Sequence, residues 1–550
     1  MRLSLVFAAA VVPTLLVAQD QPQCTALRSE VTLGPLSGHR IDSVLVETAK
    51  PELGRFGRIV EKIHVRTRPE VIRRELLFAA GDTVDTLSIA ESLRRLRKLS
   101  FLEYAHIETR QCATPSGESL ALRVVTRDSW TTRPDIKASA SRPRIGLTER
   151  NLFGTGRTVS VEIVSRNGSL GAGVSTSDAF GFGTGMTTRA QYQQYSDGMS
   201  RGLSIARRQA TLTDPWRAGL DLYDQQYEPT SALADNFERV GGEFLAGVRL
   251  TPRRSAHAVY LLAGAQSENT SLLASPTAYI VGPVRMDRHF TGPELGLSIV
   301  SSLYDTLTWL LPGAAVVDVP RTVEGEIVVA VGRGSVAAPD TTGPAEIQRS
   351  NFMTHYDGWL GREWLPNRRS RIASDIWASG YSRAGQWQSS RVRVAVSAEH
   401  AASRGLWRIS VAGENLRDPD PDVRALGIYD RALAFIPKRA RLAESAFSVS
   451  VERTRHLAFM GSQGLEASMF GAVSKRWDPA STGNASEDFM VGAAGLGVAL
   501  VPRRPGRATV RLDLGFPVTA TPGIKRAPRL SITILPWLET SRHREKSGLY

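Results

Sequence analysis

From about residue 134 to the end of the chain, apolar and polar residues alternate in short runs separated by polar or Gly/Pro-rich stretches. That is the period of a strand with two unlike faces. Val159, Val161 and Ile163 alternate with Ser160 and Glu162; Val392, Val394 and Val396 alternate with Arg391, Arg393 and Ser397. The pattern is cleanest near the C-terminal end. Phe447, Val449 and Val451 alternate with Ser448, Ser450 and Glu452; Val510, Leu512, Leu514 and Phe516 with Thr509, Arg511 and Asp513; Leu530, Ile532 and Ile534 with Ser531 and Thr533. The first part of the chain has a different rhythm. Residues 41–47 and 59–65 are short β-prone runs, and Pro69 then stands where a first helical residue would, with Ile72 and Leu76 on one helical face. Gly81-Asp82 breaks that helix, and Asp85 can cap a second one in which Ile89, Leu93 and Leu96 form the apolar stripe. Arg94, Arg95, Arg97 and Lys98 read as the solvated face of this helix. Strands at residues 104–109 and 120–126 close a unit of order β-α-α-β-β.

Alternation alone suits a soluble antiparallel sheet with one wet face. Two features favour a membrane barrel instead. The segments approach the roughly 10 residues needed to cross a bilayer as strands, and they fill the region up to residue 550 with no helix to cover a sheet. Closure also satisfies every backbone group in lipid, which an open sheet does not. The two regions meet near the stretch from Gly146 to Gly156, where Asn151, Gly154 and Gly156 tolerate positive φ and flank the apolar pair Leu152-Phe153.

Val71-Ile72-Arg73-Arg74-Glu75-Leu76, Gly81-Asp82, Ser92-Leu93-Arg94-Arg95-Leu96 and Phe101-Leu102-Glu103 together resemble a POTRA domain, in one copy over residues 57–127. The Gly146 to Gly156 stretch resembles the first barrel segment of outer-membrane assembly proteins of the BamA and TamA type. Residues 510–517 resemble their penultimate strand. The resemblance implies a mainly β fold, a transmembrane antiparallel barrel of about 16 strands over residues 134–550, preceded by one small α/β POTRA domain. The number of candidate segments runs somewhat higher than that. Residues 19–56 stay unassigned, and the run at residue 41 either joins the same sheet or belongs to a degenerate partner.

The same family carries an Arg-Gly-aromatic motif in a long loop folded into the lumen, five strands before the end. Residues 415–444 are the corresponding loop, with about five strands after them, and the motif region reads Val423-Arg424-Ala425-Leu426-Gly427-Ile428-Tyr429. The arginine, glycine and aromatic are kept but separated. A lumen lock between Arg424 and Glu452 or Asp513 is what the resemblance implies, with a solvent-exposed Arg424 as the alternative. A second departure is the C-terminal end, where Pro536, Trp537 and a polar tail follow the last strand.

Composition narrows the function. Of 550 residues 42% are hydrophobic and 22% charged, which excludes a disordered chain, and a net charge of +14 is spread as arginine along the whole length without a basic block. Nucleic acid is therefore not an expected partner. Met1-Arg2, the apolar run from Leu3 to Val17 and Ala18 have the layout of a secretory signal peptide over residues 1–18. Cys24 and Cys112 are the only cysteines, and after export either a disulfide between them or two free thiols fits. Gly181-Phe182-Gly183-Thr184-Gly185 and Gly332-Arg333-Gly334 lack the context of phosphate loops and read as strand bends or close approaches. His355 and Asp357 read as surface polar residues. With no nucleophile elbow and no histidine pair at metal spacing, the sequence offers no catalytic constellation and calls for no cofactor or metal.

The expected role is to assist insertion or translocation of polypeptides at the bacterial outer membrane, with the POTRA domain in the periplasm docking clients. Outer-membrane lipid and unfolded or extended outer-membrane polypeptides are the expected partners, and accessory periplasmic proteins are further candidates. A passive pore or scaffold barrel is the alternative.

Overall fold

The computed structural model describes residues 27–30, 37–51, 64–114, 117–137, 144–166, 169–181, 185–195, 198–207, 213–227, 236–273, 288–310, 316–337, 347–383, 386–417, 445–460, 463–477, 489–502, 508–518 and 527–536. The expected signal peptide, Cys24 and Arg424 lie outside these residues, as does the side chain of Cys112.

The N-terminal module is a four-stranded sheet with two helices. Its strands are β1 (Leu27–Glu30), β2 (Ser43–Ala49), β3 (Leu102–Thr114) and β4 (Gly117–Asp128), in the spatial order β1-β3-β4-β2. β3 and β4 form an antiparallel hairpin, and β2 runs parallel to β4. Helices α1 (Pro69–Arg73) and α2 (Thr86–Lys98) supply Ile72, Ile89 and Leu96 to a core completed by Ile41, Phe101, Leu102, Leu122 and Val124. Asp85 caps α2 through Leu87 N–H at 3.3 Å, as its position in the sequence suggests. α1 ends earlier than the apolar spacing implies: the N–H groups of Glu75 and Leu76 turn to the carbonyls of Ile72 and Arg73, three residues back, and that of Leu77 is taken by Ser92 Oγ of α2 at 2.8 Å. Of the run expected as a strand at residues 59–65, only His64 and Val65 fall among the described residues, and neither is in a strand. The seat beside β4 is held by β2, so the run beginning near residue 41 belongs to this sheet.

Ser129, Trp130 and Thr131 lead directly into the barrel. Its wall begins with β5 (Thr132–Lys137), β6 (Arg144–Leu152), β7 (Arg157–Arg166), β8 (Ser169–Gly181) and β9 (Met186–Tyr195). It continues through β10 (Gly198–Arg207), β11 (Trp216–Tyr227), β12 (Asn236–Arg249), β13 (His257–Leu273) and β14 (Arg288–Ser301). A separate hairpin of β15 (Tyr304–Leu307) and β16 (Val317–Pro320) interrupts the wall. The second half comprises β17 (Glu324–Ala337), β18 (Ile347–Asn367), β19 (Ser370–Arg383), β20 (Gln386–Ala402) and β21 (Gly405–Arg417). Last come β22 (Ser445–Met460), β23 (Gln463–Trp477), β24 (Phe489–Pro502), β25 (Ala508–Pro517) and β26 (Arg529–Pro536), and the sheet closes from β26 to β5. The closed wall has 20 strands, in line with the higher number of candidate segments rather than with the 16 of the resemblance. Several neighbours are joined across connections as short as 167–168, 368–369 or 403–404, too brief to leave a loop signal in the sequence.

The strand faces settle the environment. On β25, Val510, Leu512, Leu514 and Phe516 point outward while Thr509, Arg511 and Asp513 are buried inside. The same parity holds elsewhere, with Val161, Ile163, Val392, Val394, Val396, Phe447 and Val451 outward and Glu452 inward. A continuous apolar girdle round a closed antiparallel wall is the outer surface of a membrane barrel; in water such a band would be an aggregation surface. Exposed aromatics mark both rims: Phe153, Trp216, Trp364 and Trp407 near the module, and Phe352 and Trp387 at the far end. With an even number of strands, the chain enters and leaves the wall on the module's side. The strand ends joined by the long connections 274–287 and 418–444 lie on the opposite side. Five strands follow residues 418–444, as expected.

Candidate functional site

The stretch from Gly146 to Gly156 is not the covalent link between module and barrel. It forms part of β6 and a turn that folds back onto the module. Asp128 at the end of β4 is fully buried and accepts from Thr67 N at 2.8 Å, Thr67 Oγ1 at 2.6 Å and His64 Nε2 at 2.9 Å. Thr67 Oγ1 in turn accepts from Asn151 Nδ2 at 2.8 Å, and Asn151 Oδ1 accepts from the Gly156 N–H at 2.7 Å. Arg68 N–H donates to the Gly154 carbonyl at 2.9 Å. Gly154 has φ of 72°, and a Cβ there would meet the Arg66 carbonyl oxygen at 2.2 Å, so only glycine lets the turn dock. Phe153 projects outward from the same turn with 66% of its surface exposed, at the level of the module-side rim.

A second contact zone involves the basic face of α2, and here the expectation of a solvated helix face is corrected. Arg94 is 4% exposed, donates through Nε to Glu91 at 2.6 Å, and lies over the Tyr304 ring at 4.4 Å. Arg95 pairs with the buried Glu75 at 3.0 Å, and Arg97 reaches Asp318 of the β15–β16 hairpin at 3.0 Å. Periodicity identified the stripe that faces the module's own core. It carried no sign that a second body covers the opposite face. Asp85, at the start of α2, also meets Arg254 from the turn between β12 and β13 at 3.2 Å.

Inside the wall near the module, charges of alternating sign run from strand to strand. Arg371 on β19 bonds Glu363 of β18 and Glu399 of β20, each at 2.6 Å, and Arg408 on β21 donates to Glu399 at 3.0 Å. Glu452 on β22 lies 3.8 Å from Arg408 and accepts from Arg511 of β25, which lies 3.8 Å from Asp513. The two carboxylates expected in the lock therefore face the lumen and share a neighbourhood with Arg511. Arg511 was missed although it sits two residues from Asp513 on the same strand face, the spacing that places side chains together. Asp513 has room because Gly497 faces it; a Cβ at Gly497 would collide with the Asp513 carboxylate. Toward the far end, Glu268 accepts from Arg239 Nε at 2.9 Å, Arg288 at 3.0 Å and the hydroxyls of Tyr223 at 2.8 Å and Tyr381 at 3.2 Å. His355 stacks on Tyr381 at 4.6 Å, so it belongs to the lumen wall rather than to an outer surface. Gly332 and Gly334 flank a register shift in β17, and a Cβ on Gly332 would lie 2.1 Å from the Thr291 carbonyl oxygen, a close approach as expected.

The module's sheet has two ends. β1 is four residues long, whereas β2 is seven and among the described residues pairs with β4 alone. β3, which includes residues 104–109, is interior to the sheet. β2 is tied to its neighbours by Arg123 of β4, which donates to Glu47 through Nε at 2.9 Å and to Glu108 of β3 at 3.2 Å. The hydrogen bond from Arg123 holds the Glu47 carboxyl below its ordinary range, and the one from Arg110 does the same for Glu108.

No family model matches the chain. Over 125 residues it is 29% identical to a protein named outer membrane protein assembly factor BamA from Neorickettsia risticii; the match covers 21% of this chain and 16% of that relative. The chain thus matches about a sixth of the relative's length. Among solved structures, BamA from Haemophilus ducreyi lacking POTRA domains 1–3 is 12% identical, with 89% of this chain and 84% of that one covered at a TM-score of 0.36. CdiB from Escherichia coli is 12% identical, with 91% and 75% covered at a TM-score of 0.40. CdiB from Acinetobacter baumannii is 11% identical, with 91% and 74% covered at a TM-score of 0.39. The chain is a closed β-barrel with an apolar outer girdle and a small α/β module ahead of it, similar over part of its length to an outer membrane protein assembly factor BamA.

Proposed function

We propose that this protein assists the insertion or translocation of polypeptides at the outer membrane, with the α/β module serving as a POTRA-like dock on the periplasmic side. The observation that carries this reading is the β2 edge. A barrel that only conducts solutes has no use for a sheet whose end strand, among the described residues, pairs on one side only, whereas extended polypeptide adds to such an edge without demanding one sequence. The name of the matched relative, an assembly factor, points the same way. On β2, Glu47 and Ala49 are exposed while Val44 and Val46 are partly buried, so an added strand would meet both the Arg123–Glu47 pair and these two valines.

The test is a photo-crosslinking amino acid at Leu45 or Glu47 in the full-length protein, in cells and with purified unfolded outer-membrane polypeptides. Crosslinks to such polypeptides are expected from β2 and not from the lipid-facing Val394. A β2 edge that captures none of them, in cells whose outer-membrane assembly is unaffected by a proline within β2, would favour the passive barrel.

A further inference from the structure

On the module's side of the barrel the connections are short, such as 153–156, 368–369 and 403–404, with one exception. Residues 302–323, between β14 and β17, build the β15–β16 hairpin, in which Tyr304 pairs with Pro320 and Leu307 with Val317. Its apolar side chains do not face lipid. Leu307, Leu310, Val317 and Val319 are 5%, 3%, 6% and 2% exposed, and they bury against Ala499 and Val501 of β24 and Leu365 of β18. Those wall residues are on the inward parity: on β24 Ala499 and Val501 are buried while Leu496 and Val498 are exposed to the outside. Six strands, β18 to β23, lie between the root of the hairpin at β17 and its contact on β24. A contact so far round a closed wall is made only by crossing the opening.

We propose that the β15–β16 hairpin is a stopper across the module-side mouth of the barrel, latched in place by helix α2 of the module. Its inner face is an apolar wedge seated on the lumen wall. Its outer face is held by the module, through Arg97 on Asp318 and through the Arg94 guanidinium over Tyr304, whose hydroxyl is in turn tied to Glu324 at 3.0 Å. The groups that face the latch from the packed elements are Glu91, Arg94 and Arg97 on α2 and Tyr304, Asp318 and Glu324 on or beside the hairpin. Burial pushes the Tyr304 hydroxyl well above its ordinary range, so it stays protonated and donating. The arrangement divides the labour. Apolar burial makes the seal, while the part-exposed Arg97–Asp318 pair, open to competition by water and salt, and the buried Arg94 guanidinium over Tyr304 make the latch. Movement of α2 away from the mouth exposes one side of the hairpin and leaves the wedge as the sole restraint. The inference rests on these contacts alone and stands or falls apart from the client-docking reading.

Val501→Cys places a thiol beneath the hairpin, and its labelling by a bulky membrane-impermeant maleimide reports the seal, scored over the parent protein in full-length, heat-modifiable barrels. Slow labelling is expected. Replacing residues 306–319 by a short Gly-Ser bridge should raise the rate at least tenfold, and Arg97→Glu, which replaces the ion pair with Asp318 by two like charges, should raise it several-fold. The exchanged pair Arg97→Glu/Asp318→Arg should return it toward the starting value. Labelling of Val501→Cys as fast with the hairpin as without it would overturn the stopper. Slow labelling unchanged by Arg97→Glu would overturn the latch.

Discussion

Asn151 shows how much a single side chain carries between the two parts of the molecule. It is 3% exposed, donates to Thr67 and accepts from the Gly156 N–H, so its amide bridges a module segment and a barrel turn. Asn151→Ala leaves a buried N–H and one face of Thr67 without these partners, at an expected cost of about 1–3 kcal/mol to docking. Hydrogen exchange of residues 64–68 should then speed up about fivefold or more. Unchanged exchange would mean that the turn rests on the module without holding it. At this scale the sequence was informative about type and parity: Asn and Gly marked the turn, and Glu452 and Asp513 were placed inward by alternation. The partners were not legible. Asp128, Thr67 and Asn151 are far apart in the chain, and nothing local in 64–68 announces that a barrel turn will cover it.

Elements were legible where one physical signal dominates. β25 alternates without a fault because lipid on one side and water or paired charge on the other act on every residue of the strand. Val394 stands near the middle of β20 on the outer face, next to Arg393 of the opposite parity. Val394→Arg should therefore cost about 2–4 kcal/mol in folding into lipid vesicles, measured as the shift in the urea midpoint with the slope unchanged. An equal effect of Val394→Arg and Arg393→Val would contradict the assignment of faces. Helices were harder to read than strands here. α1 is five residues long and ends where tertiary bonding takes over, and the basic face of α2 is an interface, a property no helical period encodes. The hairpin β15–β16 escaped notice for a related reason. Its strands are four residues each and its apolar residues resemble one more membrane-crossing segment until the wall is closed without it.

For the whole molecule, 20 strands and the distribution of connections fix an orientation, with module and chain exit on one side and the long connections on the other. An epitope inserted within 478–488 should be reached by antibody on intact cells, whereas one inserted at 403–404 should be reached only after the outer membrane is opened. Antibody binding to the second on intact cells would invert the molecule and remove the module from the periplasm.

Among the described residues the module meets the rim at three separate places: the β6–β7 turn with Asn151 and Gly154, Arg254 from the turn between β12 and β13, and the hairpin between β14 and β17. A body on a tripod does not rock. The feet are unequal, however, since the first is a buried network of neutral and charged hydrogen bonds beside the covalent link, the second is the largely exposed Arg254, and the third joins the part-exposed Arg97 to the buried Arg94. With the two arginine feet released, the one left would act as a pivot, and the module's freedom would be rotation about a single corner of the rim rather than separation from it.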